Sequence, residues 1–102
     1  MPRRPRLRVV VTRSARREIR VETAWWRERG YRAERIATAL RAAYLVLSVT
    51  PDIGRPTTAE GVRVLALPTI GYRLYFRVDV SEGVVIIRAF WPMSRGEEPD
   101  LH

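Results

Sequence analysis

Three closely spaced segments decide the fold of this chain: VRVLAL (62–67), YRLYFRVDV (72–80) and VVIIRAFW (84–91). Each segment is rich in β-branched and aromatic residues and is bounded by turn residues, which is the pattern of a β-strand. The connections at 68–71 and 81–83 are short and contain glycine, and short connections of this kind join antiparallel neighbours. We therefore predict three antiparallel strands that follow one another in the sheet.

The first half of the chain predicts one more strand and two helices. Residues 7–11 form a β-branched run, and Thr12 or Ser14 can cap a helix that runs to about residue 29. A second helix, about 32–49, has the clearest three–four spacing of apolar residues in the chain. Because few residues separate the two helices, they must fold back as a hairpin. The predicted class is α+β, with the order β-α-α-β-β-β and the helical hairpin packed on one face of a mainly antiparallel sheet.

Length and composition favour a single domain over residues 1–102, with a flexible basic arm at 1–6 and a flexible acidic tail at 97–102. The chain has no cysteine and its one histidine is His102, so we predict no metal site, no cofactor and no histidine-based catalysis. No run of 18 apolar residues is present, and the basic start lacks the apolar stretch of a signal peptide. A cytoplasmic protein that does not enter the membrane is the expectation.

The basic charge is concentrated in the first half of the chain. The net charge is +8, and all 19 basic residues are arginines. Residues 1–49 contain 13 arginines and 4 acidic residues, whereas residues 50–102 contain 6 arginines and 7 acidic residues. Such a half favours either a polyanion or an acidic protein partner, and charge alone does not separate the two.

A second arginine-rich surface is predicted on the sheet. Strict alternation places Arg73, Tyr75 and Arg77 on one face of their strand, opposite Tyr72, Leu74, Phe76 and Val78. We assign Arg63 and Arg88 to the same face, and alternation in the last strand groups Arg88 with Val84, Ile86 and Phe90. This face is either a solvated polar surface or a binding surface, because so many neighbouring like charges repel unless an acidic group lies there.

The first helix has two apolar aspects. Ala15, Ile19 and Trp26 fall in one narrow arc, while Val21 and Trp25 lie about 100° away. One interpretation packs the first arc on the sheet and the second on the neighbouring helix. The other leaves Val21 or Trp25 partly exposed for a partner to cover.

An ordered set of motifs runs through nearly the whole chain, over about residues 7–101. Its members are Gly54-Arg55-Pro56, Arg63, Tyr72, Leu74-Tyr75, Val78, Trp91, Arg95-Gly96, Pro99 and Leu101. In this order they resemble the RelE/ParE superfamily of small bacterial toxins from type II toxin–antitoxin systems, and the ParE-type branch most of all.

The resemblance implies a toxin that acts by binding and is neutralised by a cognate antitoxin. Toxins of the ParE-type branch poison DNA gyrase by protein–protein contact and have no catalytic residues of their own. Their antitoxins usually have a ribbon-helix-helix DNA-binding part and a tail that wraps the toxin. The candidate antitoxin-binding residues here are Val21, Trp25, Arg20 and Arg27. The candidate target-binding residues are Arg63, Arg73, Tyr75, Arg77, Arg88, Ser94 and Arg95.

Two other functions remain open at this stage. A RelE-type toxin would cleave messenger RNA on the ribosome, and in that branch basic residues, often with a Tyr or His, follow the last strand. Here residues 91–96 are followed by Glu97, Glu98 and Asp100, which repel RNA, and arginine is a poor proton shuttle. We therefore assign no catalytic residue and disfavour an enzyme. A general nucleic-acid-binding module, using the arginine-rich first half, is the second alternative, for which we expect weak or absent direct binding.

Overall fold

The chain folds in the α+β order that its sequence pattern predicts, in a computed structural model that describes residues 6–101. The elements are β1 (Arg8–Val11), α1 (Arg13–Glu28), α2 (Glu34–Val49), a 3₁₀ turn (Pro51–Ile53), β2 (Arg55–Pro56), β3 (Val62–Leu67), β4 (Tyr72–Asp79) and β5 (Val84–Pro92). The short strand β2 lies between α2 and β3, where the predicted order contains no strand. The predicted flexible arm at 1–6 and His102 fall, except for Arg6, outside the described residues. No helix within the described range is long and apolar enough to cross a membrane.

The sheet has five strands in the order β1-β5-β4-β3-β2. The pairs β2–β3, β3–β4 and β4–β5 are antiparallel, whereas β1 lies parallel to β5. A parallel pair needs a long crossover connection, and the helical hairpin begins that crossover. The prediction of a mainly antiparallel sheet with a helical hairpin is confirmed.

Local signals fix where the helices begin and end. The Oγ1 atom of Thr12 accepts a hydrogen bond from the backbone N–H of Ala15 at 3.2 Å, so Thr12 rather than Ser14 is the N-cap of α1. The helix ends before Gly30, whose φ of 74° is the left-handed conformation that glycine adopts without strain. Helix α2 stops before Pro51, which cannot continue it.

The main core lies between the two helices and one face of the sheet, which we call the helix face. Phe76 and Leu74 of β4 and Ile87 and Phe90 of β5 are fully buried there, beneath Ile36 and Leu47 of α2. Gly54 allows this packing at one edge, because a Cβ atom at that position would lie 2.7 Å from the ring of Phe76.

A β-bulge in β5 changes the predicted assignment of faces. Tyr75 pairs with Ala89, but the next residue, Phe76, pairs with Ile87, so Arg88 is an extra residue in β5. Beyond this point every side chain of β5 is shifted to the opposite face. Phe90 therefore lies on the helix face, and our grouping of Phe90 with Arg88 by strict alternation was wrong.

Candidate functional site

The face of the sheet opposite the helices, which we call the basic sheet face, carries several of the predicted arginines. Arg73 and Arg77 of β4 point to it together with Tyr75, since Phe76 and Leu74 occupy the helix face. Arg88 joins them through the bulge and lines an open depression of about 790 Å³ with Arg77. The Arg77 guanidinium also donates to the backbone oxygen of Glu60 at 3.1 Å.

Arg63 does not reach the basic sheet face. It pairs with Phe76 across the β3–β4 ladder, so both lie on the same side of the sheet. Its Nε and Nη2 donate to the backbone oxygen of Gly54 at 3.0 and 2.5 Å, and Nη2 also donates to that of Asp52 at 3.3 Å. Arg63 therefore holds the turn before β2. Alternation within β3 was predicted correctly, but the register that pairs β3 with β4 was not.

Arg95 and Ser94 follow β5 and are exposed. The Arg95 guanidinium stacks over the ring of Trp91, 4.4 Å from its centre, and cation–π contact of this kind orients the side chain. Arg95 borders a second depression of about 530 Å³, whose other cationic residues are Arg55 and Arg73. Arg95 thus extends the basic sheet face toward α1.

The acidic C-terminal segment crosses the basic sheet face. Trp91 Nε1 donates to the backbone oxygen of Glu97 at 2.8 Å, and Thr58 Oγ1 donates to Glu98 Oε2 at 2.8 Å. Leu101 is only 5% exposed and belongs to a second, smaller apolar cluster with Ala59, Val62, Tyr75 and Ala89. We predicted a flexible tail here, whereas the structure packs residues 97–101 against the sheet.

Tyr75 is a constituent of that cluster and is only 2% exposed. Burial raises the pKa of its phenol, the nearby Glu98 carboxylate raises the pKa further, and Arg73 opposes them. The phenol is therefore harder to ionise than a solvated tyrosine, and little of the Tyr75 side chain is open to a ligand.

The two adjacent tryptophans of α1 point in different directions. Trp26 packs on the main core, where its Nε1 donates to Tyr72 Oη at 3.0 Å, and the Tyr72 hydroxyl in turn donates to Glu22 Oε1 at 2.8 Å. Trp25 is 41% exposed, with the Arg29 guanidinium 4.0 Å from the centre of its ring and Tyr31 beside it. Of the two interpretations of α1, the geometry agrees with the one that leaves Trp25 partly exposed.

The outer surface of the two helices, which we call the helical surface, also includes the other predicted antitoxin-binding residues. Val21, Arg20 and Arg27 are all exposed on α1. Arg20 lines a shallow depression with Arg13 and Arg16 at the start of the helix. Arg13 and Arg16 lie near the positive end of the helix dipole, where a negative group would be favoured, and Arg20 lies halfway along the helix.

An apolar strip at the end of α2 was missed by the sequence interpretation. Leu45 is 64% exposed, and Val46, Val49 and Ile53 beside it are exposed as well. The signal was present, because residues 42–47 are six consecutive apolar residues and one helix cannot turn all of them toward a core on one side. Exposed apolar side chains that lie together in this way are a candidate surface for a partner.

Glu18 closes the gap between α1 and the edge of β5. Strand β1 extends only to the level of Ile87, so the backbone N–H of Phe90 has no strand beside it. Glu18 Oε1 accepts that N–H at 3.0 Å. Burial raises the pKa of the Glu18 carboxyl, while the hydrogen bond from Phe90 and the charge of Arg95 oppose the shift.

Comparison with solved structures finds the same fold in several chains, among them chains of two toxin–antitoxin systems. One is a chain of the chromosomal ParDE system from P. aeruginosa, with a TM-score of 0.71 and 19% identity over 86% of this chain and 97% of that chain. The other is a chain of the toxin–antitoxin complex RelBE2 from Mycobacterium tuberculosis, with a TM-score of 0.66 and 21% identity over 93% of this chain and 100% of that chain.

Comparison at the level of sequence gives a family rather than a close relative. No curated protein sequence matches the chain significantly. The family model described as the ParE toxin of the type II toxin–antitoxin system, parDE, matches residues 9–96, which include every strand and both helices apart from the first residue of β1. Because that match extends over most of its length, the chain belongs to the ParE toxin family of type II toxin–antitoxin systems.

Proposed function

We propose that this ParE-family toxin stops bacterial growth by binding an essential protein, with DNA gyrase as the target that the family resemblance implies. A single observation carries the choice of binding over catalysis. The basic sheet face presents arginines around Tyr75, which is only 2% exposed and whose phenol has a pKa raised by burial. Guanidinium groups hold negative charge well but do not exchange protons near neutral pH, so this face suits recognition of an acidic surface.

The target-binding residues in this proposal are those that the fold brings to the basic sheet face and its margin: Arg73, Tyr75, Arg77, Arg88, Ser94 and Arg95. Arg63 leaves the set, since its guanidinium is engaged by backbone oxygens of the neighbouring turn. Tyr75 contributes as a support beneath the C-terminal segment rather than through its hydroxyl.

A cognate antitoxin, of the ribbon-helix-helix type by family resemblance, neutralises the toxin in the cytoplasm by covering the helical surface. Exposed Trp25 and Val21 on α1 and the apolar strip on α2 supply the apolar anchors. Exposed Arg20 and Arg27 belong to the basic first half of the chain and would steer an acidic antitoxin tail toward those anchors. Buried aromatic residues usually dominate the affinity of such interfaces, while charges set orientation and association rate.

Expression of the chain alone in bacteria tests the proposal. We expect growth arrest with induction of the DNA-damage response, and recovery when the antitoxin is co-expressed. Global loss of messenger RNA with intact DNA would instead assign the RelE-type activity. Normal growth at verified soluble expression would contradict the toxin function.

The nucleic-acid alternative is separated by a binding measurement on the purified toxin. Contacts to phosphates release counterions, so affinity for duplex DNA or RNA should be weak and should fall steeply with salt. A sequence-dependent complex that resists salt without antitoxin would overturn the protein-binding proposal.

A further inference from the structure

The basic sheet face already holds an acidic peptide, namely the chain's own segment 97–101, Glu-Glu-Pro-Asp-Leu. The segment is held through its backbone as well as its side chains. Trp91 donates to the backbone oxygen of Glu97 at 2.8 Å, and Arg88 donates to the backbone oxygen of Leu101 at 3.4 Å. Any extended peptide offers such oxygens, so these contacts do not depend on the identity of the side chains.

The small apolar cluster beneath the segment, which we call the seat, favours an aliphatic side chain. Leu101 packs on Val62, Tyr75 and two alanines, Ala59 and Ala89. The small alanine side chains leave room for a branched residue. A nucleic acid has no group of this kind, so the seat favours a peptide ligand over RNA or DNA.

The arginines around the segment are only partly used by it. One depression borders Leu101 and includes Arg77 and Arg88, and the other borders the Glu97 and Glu98 positions and includes Arg55, Arg73 and Arg95. Within residues 6–101, neither Glu97 nor Glu98 has an arginine nitrogen within 4.0 Å. Positive charge is therefore left over for a ligand that places its carboxylates closer.

We propose that the basic sheet face is a docking site for an extended acidic peptide segment of a partner protein, anchored by an aliphatic residue. Residues 97–101 occupy the site in the free toxin, so the partner must displace them. The inference rests on the proposed function only in placing partner contacts on this face, and it is tested on purified protein without any measure of growth.

The test uses a fluorescein-labelled peptide of sequence GEEPDL, identical to residues 96–101, with an amidated C-terminus. The attached segment competes at the millimolar effective concentration typical of short tethers, so the unaltered toxin should bind the probe weakly. Leu101→Ser removes the anchor and should tighten probe binding about tenfold. Val80→Ser is the matched control, because Val80 is also aliphatic but is 80% exposed in the β4–β5 turn, and it should bind like the parent. A probe with serine in place of leucine should lose at least about tenfold.

The indole N–H of Trp91 reports directly whether the segment is in place, because it donates to Glu97. Its nuclear magnetic resonance signal, assigned with Trp91→Phe, should move in the Leu101→Ser variant and return toward the parent position when the probe is added. Thr58→Val is a second test at an exposed position. It removes the hydrogen bond that Thr58 donates to Glu98, which weakens the attached segment as a competitor, so probe binding should tighten by about threefold.

Three results would overturn the proposal. One is a folded Leu101→Ser or Thr58→Val protein that binds the probe no better than the parent. Another is an unchanged Trp91 signal in Leu101→Ser. The last is a dimeric parent, by light scattering, that the probe converts to monomer, since this would assign the site to the segment of a second copy.

Discussion

The two faces of the sheet are covered very differently. The helix face lies under both helices and buries large side chains completely, among them Phe76, Phe90 and Ile87. The basic sheet face is covered by a short peptide segment over a small cluster and is surrounded by arginines. In the function that we propose, stability and target recognition are separated onto opposite sides of one thin sheet.

The β-bulge at Arg88 makes this separation possible. Without the extra residue, alternation would place Arg88 and Phe90 on the same face. The bulge instead directs Phe90 into the main core, while Arg88 reaches the basic sheet face. One inserted residue therefore serves both faces.

The largest expected effect is on the helix face. Phe76→Ala should lower the free energy of unfolding by about 3–5 kcal/mol, because it removes a fully buried ring and leaves a cavity beneath Gly54. Urea denaturation followed by circular dichroism measures the change. A loss below about 1 kcal/mol would mean that the helix face is not the main source of stability.

On the helical surface, Trp25→Ala should weaken binding of the cognate antitoxin by about 2 kcal/mol or more while the toxin stays folded. The ring is exposed and contacts mainly Arg29 and Tyr31, so its removal leaves the core intact. Calorimetry on purified variants measures the affinity, with circular dichroism as the control for folding. Arg20→Ala and Arg27→Ala should each cost less and should mainly slow association at low salt.

Trp26→Ala is the matched comparison for Trp25→Ala. It removes a ring that packs on the main core and donates to Tyr72, so its first effect should be on stability. If Trp25→Ala unfolds the protein, or binds antitoxin like the parent, Trp25 is not an anchor.

On the basic sheet face, Leu101→Ala should lower the free energy of unfolding by only about 1–2 kcal/mol, below the usual cost for a buried leucine, since Leu101 covers only a small apolar cluster. Urea denaturation followed by circular dichroism measures this change as well. A loss equal to that of Phe76→Ala would remove the contrast between the two faces.

The smallest predicted effect appears only in alkali. Burial, together with the hydrogen bond to Glu22 and the Glu22 charge, raises the pKa of Tyr72 to about 12. The pKa of Tyr72 is higher in the folded chain than in the unfolded chain. Its contribution to the free energy of unfolding is therefore complete below about pH 10 and is lost as the pH rises through about 12. The temperature of thermal unfolding should fall over that interval, and the Tyr72→Phe variant should lack the part of this fall that is due to ionisation at this position. An unchanged pH profile in Tyr72→Phe would show that the α1–β4 hydrogen bonds do not contribute.

Much of the fold follows from the sequence because its signals are local. The alternation of residues 72–79, the glycine turns and Pro51 depend on near neighbours, and the elements that they predict are present. The ordered motif set likewise identified the family.

What the sequence did not give depends on contacts between distant segments. Arg63 was misplaced because the β3–β4 register is set by pairing rather than by alternation, and the bulge at Arg88 leaves no pattern that alternation can detect. The packing of the tail rests largely on Leu101, whose apolar partners come from three other segments of the chain.

We propose that the basic sheet face binds the target and that the helical surface binds the antitoxin. Two triple variants, each expressed alone in bacteria, test this separation most directly. Arg73→Gln, Arg77→Gln and Arg88→Gln together should abolish growth arrest while leaving a folded protein that still binds its antitoxin. Arg13→Gln, Arg16→Gln and Arg20→Gln together remove the same charge from the helical surface, and this toxin should still arrest growth but associate with its antitoxin more slowly. Full toxicity of the first variant at an equal soluble level would contradict the account.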